Sequence, residues 1–137
     1  MAQSTLSDRI RECTNEAALF ALTDLIGNYK RRIQQEGKAT DEGQIGRYSA
    51  RYAAYRKESG RQTAKVDLTF TGDMINSIQL GEFEGRLVMG FEEIEQKEKA
   101  DQNESIFGKK VFSLTDNEIN RVSKNFGEKL QECLNKL

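Results

Sequence analysis

Four carboxylates crowd one stretch of this 137-residue chain: Glu92, Glu93, Glu95 and Glu98. Grouped carboxylates can work as acid and base or hold a hard cation. These lack the alternating Asp/Asn–Gly spacing of an EF-hand loop, and no apolar residues surround them to shift a pKa. They read as a solvated face. Gly81, Gly85 and Gly90 are spaced as hairpin turn and bulge residues, not as a GxGxxG loop, and Thr71-Gly72 does not open a GxxxxGK(S/T) loop. No nucleotide cofactor is expected. The chain contains no His, which excludes a Ser-His-Asp or Cys-His catalytic unit and any imidazole metal site. Cys13 and Cys133 lie at opposite ends with no CxxC spacing, and are read as buried reduced thiols of a cytoplasmic protein in preference to a structural disulfide. The expectation is a chain with no enzymatic activity, no cofactor and no metal.

A fifth grouping mixes cations with aromatics. Tyr48, Tyr52 and Tyr55 fall at i, i+4 and i+7, with Arg47, Arg51, Arg56, Lys57 and Arg61 around them. Rings interleaved with cations can stack bases and neutralise phosphates. Alternatively, the rings form the buried face of an amphipathic helix with the cations solvated, or the segment is a protein interface. The charge layout bears on this choice. Net charge is -1, so the chain as a whole has no nucleic-acid footprint. Residues 29–65 nevertheless carry ten basic and four acidic side chains, while residues 82–104 carry three basic and eight acidic ones. If both segments are exposed, neighbouring copies could dock head to tail through Arg47, Arg51, Arg56 and Arg61 on one side and Glu92, Glu93, Glu95 and Glu98 on the other. Otherwise the two segments face each other within one subunit.

The elements that must position these residues follow from periodicity. Residues 7–36 read as one long helix, with N-cap hydroxyls at Ser4, Thr5 or Ser7 and Gly37 as its stop. Its apolar stripe runs through Leu6, Ile10, Cys13 and Ala17, then Leu19, Leu22, Ile26, Tyr29 and Ile33. Residues 37–47 read as a loop and 48–58 as a short helix. Val66, Leu68 and Phe70 alternate with polar residues as a strand does. Thr71 then caps a turn of helix, and residues 78–91 form a hairpin. Residues 92–105 are a solvated helix or a flap, and 106–112 an extended apolar patch. Thr115 and Glu118 have capping-box spacing at the head of a last helix. The sum is one α+β domain over 1–137: long N- and C-terminal helices packed on a small antiparallel sheet with a β-hairpin. The longest apolar run, residues 17–22, is far short of the ~20 residues that span a bilayer. Residues 1–7 have neither the basic nor the apolar region of a signal peptide.

Residues 48–77, YSARYAAYRKESGRQTAKVDLTFTGDMINS, resemble a pattern in small neck and tail-completion proteins of tailed bacteriophages, the head–tail connector or virion morphogenesis proteins. There a YSxxYAxxR-like helix leads into an L-T-x-T-G-x-M-x-x-S-I strand–turn–helix. The matching residues are Tyr48, Ser49, Tyr52, Ala53, Gly60, Val66, Leu68, Thr69, Thr71, Gly72, Met74, Ser77 and Ile78. Lys99-Ala100 with Asn103-Glu104, and Val111-Phe112 with Leu114-Thr115, also resemble that family. The likeness covers about residues 48–120, although 106–112 lack the Pro-containing segment of the broader family. It implies a structural virion protein made in the host cytoplasm, forming a homo-oligomeric ring of about six or twelve copies. Such a ring would join portal or adaptor proteins to the tail, with DNA only as channel content and no membrane. Thr71, Gly72, Met74 and Ser77 would form its structural junction. The alternative is a small nucleic-acid-binding module built on residues 47–61.

Overall fold

A computed structural model describes residues 5–69 and 71–137, with the side chain of Arg86 left aside. The chain is α+β. Its elements in order are α1 (Leu6–Gln34), α2 (Ala50–Glu58), α3 (Asp73–Asn76), β1 (Ile78–Phe83), β2 (Arg86–Phe91), α4 (Ile94–Phe107) and α5 (Asp116–Leu134). The two strands pair antiparallel, from Ile78 opposite Phe91 to Phe83 opposite Arg86.

Helix α1 starts where its capping chemistry lies. The Thr5 hydroxyl accepts from the Asp8 amide, and the Asp8 carboxylate accepts from the Thr5 amide. At 29 residues it is about 44 Å long. Its buried face is Cys13, Ala17, Ala21, Leu25, Tyr29 and Ile33, a steady four-residue step. The expected stripe is therefore corrected at its N-terminal end and in its middle, while Tyr29 and Ile33 are buried as expected. Leu6, Ile10 and Leu19 are exposed, and Ala21 and Leu25 take the places proposed for Leu19 and Leu22. Helix α5 runs antiparallel along this face: Asp24 binds Arg121, and Arg32 binds Glu118. The bidentate Arg121 guanidinium holds the Asp24 carboxyl below the usual carboxylate range. The capping box of α5 is as expected, with the Thr115 hydroxyl accepting from the Glu118 amide and Glu118 returning the bond.

That antiparallel packing overturns the reading of the cysteines. Cys13 and Cys133 are joined in a disulfide with Cα atoms 5.6 Å apart. They are 120 residues apart in sequence, and nothing local announces that two helices will bring them together. A cross-link closing so long a loop restricts the unfolded chain and contributes about 2–5 kcal/mol. Reduction, or Cys13→Ser, is therefore expected to lower the thermal midpoint by about 10 °C, and alkylation of the unreduced protein should find no free thiol. Equal midpoints with and without reductant would show that the bridge adds nothing.

The main core lies where the end of α1 meets the loop over 37–47, α3, the hairpin and α4. Tyr29, Ile33, Ala39, Ile45, Val66, Ile75, Ile78, Ala100 and Val111 fill it. Gly37 is needed there, because its φ is +62° and a Cβ would come within 2.8 Å of the Val66 carbonyl. The hairpin turns through Glu84 and Gly85, both with positive φ, as a two-residue turn matched to strand twist requires.

Of the two readings for residues 92–105 the helix holds, over Ile94–Phe107, and Ile106 and Phe107 are its last turn instead of the expected extended patch. Gln96 and Ala100 anchor it on the core, while Glu104 accepts from the Val111 and Phe112 amides and ties its end to the next segment. The expected strand over 66–70 is irregular as far as it is described, with Phe70 outside the described residues. Leu68 has φ +53°, which breaks the alternation, and Asp67 points inward. Among the described residues, no helix is long and apolar enough to cross a membrane.

Candidate functional site

Helix α2 inverts its expected polarity. Arg56 is its only buried residue, 1% exposed, whereas Tyr52 is 39% and Tyr55 52% exposed. The guanidinium donates to the Gln62 carbonyl (3.0 Å), the Thr69 carbonyl (2.9 Å) and Asp67 Oδ1 (3.2 Å). It also lies 4.5 Å from the Tyr48 ring centroid. Asp67 is fully engaged in return, accepting from Tyr48, Gln62 and the Thr69 amide as well. Arg suits this place because a planar fork of five donors can satisfy several carbonyls at once, and because it stacks on a ring. Arg56 is thus a strut holding residues 62–69 against α2, and its predicted part in docking or phosphate binding is corrected. Arg47, Arg51 and Arg61 are exposed, as are Glu92, Glu93, Glu95 and Glu98.

Burial raises the Tyr48 phenol to about 12, against the opposing bond from the Asp67 amide. A phenol whose folded pKa is raised contributes stability that is complete below its unfolded value of about 10 and disappears as pH rises through the folded value. Tyr48→Phe is therefore expected to flatten the loss of stability between about pH 10 and 12, read by denaturant titration across that range. An unchanged alkaline profile would contradict this placement of the ring.

Behind the strut, the motif residues converge. Tyr48, Ser49, Tyr52 and Arg56 from the α2 side face Lys99, Gln102, Asn103 and Phe107 of α4 across a cleft of about 640 Å³. Leu68, Thr69, Thr71, Gly72, Asp73 and Met74 close its end. The four expected junction residues each have a role. The Thr71 hydroxyl accepts from the Asp73 amide, and Gly72 takes φ +90° where a Cβ would meet Asn76 at 3.2 Å. Met74 is buried at the cleft. Ser77 accepts from the Glu93 amide through its hydroxyl and from the Glu92 amide through its carbonyl, which fixes the start of α4 beside the hairpin.

Arg47 and Lys99 stand exposed at the cleft, one on each wall. Within it lies Gln96, only 7% exposed, whose Oε1 is buried without a hydrogen-bond donor. The arrangement offers two rings and two cations, which suits a partner with an apolar tip and negative charge. Among the described residues, no group of three His, Cys, Asp or Glu side chains is placed to hold a metal ion. Sequence reasoning did not single out Asp67 or Gln96. Asp67 has a local signal, an Asp two residues before an amide it can accept from. Gln96 has none.

Compared with protein-family models, curated proteins and solved structures, the chain has no match.

Proposed function

We propose that this chain is a structural subunit of a ring at the portal–tail junction of a tailed bacteriophage, joining the capsid portal complex to the tail around a DNA channel. The observation that carries the oligomeric part is surface. The chain exposes 9375 Å², whereas a compact monomer of its 15.6 kDa mass exposes about 7,200 Å². The excess is larger than the ~800 Å² that each partner gives to a standard interface. It lies partly along the α1–α5 arm, where Leu6, Ile10, Leu19, Phe20 and Ile119 are exposed and α5 buries only Glu118 among the described residues. The phage part rests on the resemblance over about 48–120, of which residues of the 48–77 stretch and Lys99 and Asn103 line one cleft. A disulfide also suits a particle that works outside the reducing cytosol.

Native mass spectrometry of the full chain, alone and with its neck partners, should give a closed ring of about six or twelve copies. Deleting its gene should leave heads and tails unjoined. A chain that stays monomeric and never enters the particle would end this reading.

The exposed Tyr52 and Tyr55 beside Arg47 and Arg51 keep a second reading open, a single-strand-binding module. With Arg56 buried, a footprint of about three phosphates predicts a log–log salt slope near −2. Absent DNA binding at low salt would remove it.

A further inference from the structure

We propose that the cleft between α2 and α4 receives the β1–β2 hairpin tip of a second copy of this chain. The contact rests on the ring reading and specifies it. The tip carries Phe83 between Glu82 and Glu84, and Phe83 is 66% exposed, so nothing in its own subunit covers it. A ring of that size gains free energy when a partner buries it. The cleft supplies aromatic walls in Tyr52 and Phe107, and rim cations in Arg47 and Lys99 that oppose the two tip carboxylates.

Tip and cleft are different surfaces, so their union is head to tail. Such contacts repeat until they close into a ring or extend as a filament. The rest of the hairpin's outer face agrees with a docked element: Gly81 and Gly90 have open space where a Cβ would stand, and Val88, opposite Gly81, is exposed. Charge sets register and rate here, while Phe83 supplies the desolvated anchor.

The test uses the full chain and light scattering across a dilution series, at low and high salt. Phe83→Ser and Lys99→Glu change exposed side chains and should leave thermal unfolding unchanged. Each alone should weaken assembly about tenfold or more. Mixed, they should form a one-to-one pair and stop, since one keeps a good cleft and the other a good tip. Glu84→Lys should impair assembly by itself, and combined with Lys99→Glu in one chain should restore it. If these variants assemble as the unaltered chain does, the tip–cleft contact is wrong and the ring forms through another surface. If the unaltered chain never assembles, the ring reading falls with it. If the cleft variant loses affinity for single-stranded DNA while assembly is unchanged, the cleft belongs to nucleic acid and the proposal is overturned.

Discussion

Replacing Arg56 by Ala is expected to destabilise the fold by about 3–5 kcal/mol, the range for removing one partner of a buried ion pair. The loss has identifiable parts. Asp67 stays buried with its strongest donor gone, and the Gln62 and Thr69 carbonyls lose theirs. The Tyr48 ring loses the guanidinium stacked 4.5 Å from its centroid. Domains of this size have about 5–15 kcal/mol in all, so the variant should sit near the edge of folding. Arg56→Lys keeps the charge but not the planar fork, and should recover only part of the loss. Urea unfolding of the three proteins, with limited proteolysis at residues 61–69, reads both effects. A cost below about 1 kcal/mol for Arg56→Ala would mean the buried network is not what holds this segment. The cleft would suffer too, because the strut is part of its wall.

Arg32→Ala is expected to cost a similar amount, about 3–5 kcal/mol. Arg32 is buried where four segments meet. Its Nε donates to Glu118 Oε2 at 3.0 Å, and its remaining nitrogens donate to the Lys38, Val111 and Ser113 carbonyls at 2.9–3.1 Å. The loop over 37–47 has its own backbone bonds, such as Ala39 N–H to the Gly43 carbonyl and Ile45 N–H to the Gly37 carbonyl, and one guanidinium adds the link from it to the segment before α5 and to Glu118. Glu118→Gln leaves one acceptor oxygen where Glu118 uses two, for the Thr115 amide and for Arg32 Nε, so it gives up one of those bonds; it spares the three carbonyl bonds of Arg32 and should be milder than Arg32→Ala. The double variant should show coupling of at least about 1 kcal/mol if the pair acts as a unit. Additive losses measured by calorimetry would contradict that.

The two arginines explain how a chain with 36% hydrophobic residues keeps three irregular stretches in place. Each buries one charge against one carboxylate and spends its other donors on loop carbonyls. Reading by composition treats such residues as surface, because a buried Arg looks locally like any other. Arg56 sits four residues from Tyr52 on the helix, which is as good a position for a solvated cation as for a buried one. Only Asp67, eleven residues on and turned inward by the positive φ of Leu68, makes burial affordable. The alternation of Val66, Leu68 and Phe70 misled for the same reason: a period of two implies a strand only where a neighbouring strand can pair with it.

Much else was legible locally. The start of α5 follows from Thr115–Glu118 alone, whereas for α1 the sequence offers hydroxyls at Ser4, Thr5 and Ser7 and the structure selects Thr5, bonded to Asp8. The hairpin follows from alternation on either side of Glu84-Gly85. Gly72 and Thr71 mark their junction because a positive φ and a free hydroxyl are local demands. The sequence by itself therefore determined the α+β class, the start of α5, the hairpin and the charge layout, all of which depend on contacts a few residues apart. The tertiary structure alone decided that Cys13 meets Cys133, that Arg32 and Arg56 are inside, and that Gln96 is buried beside the cleft. Those facts depend on residues far apart in the chain, and the free energy of burying a thiol, a guanidinium or an amide is set by which distant partner arrives.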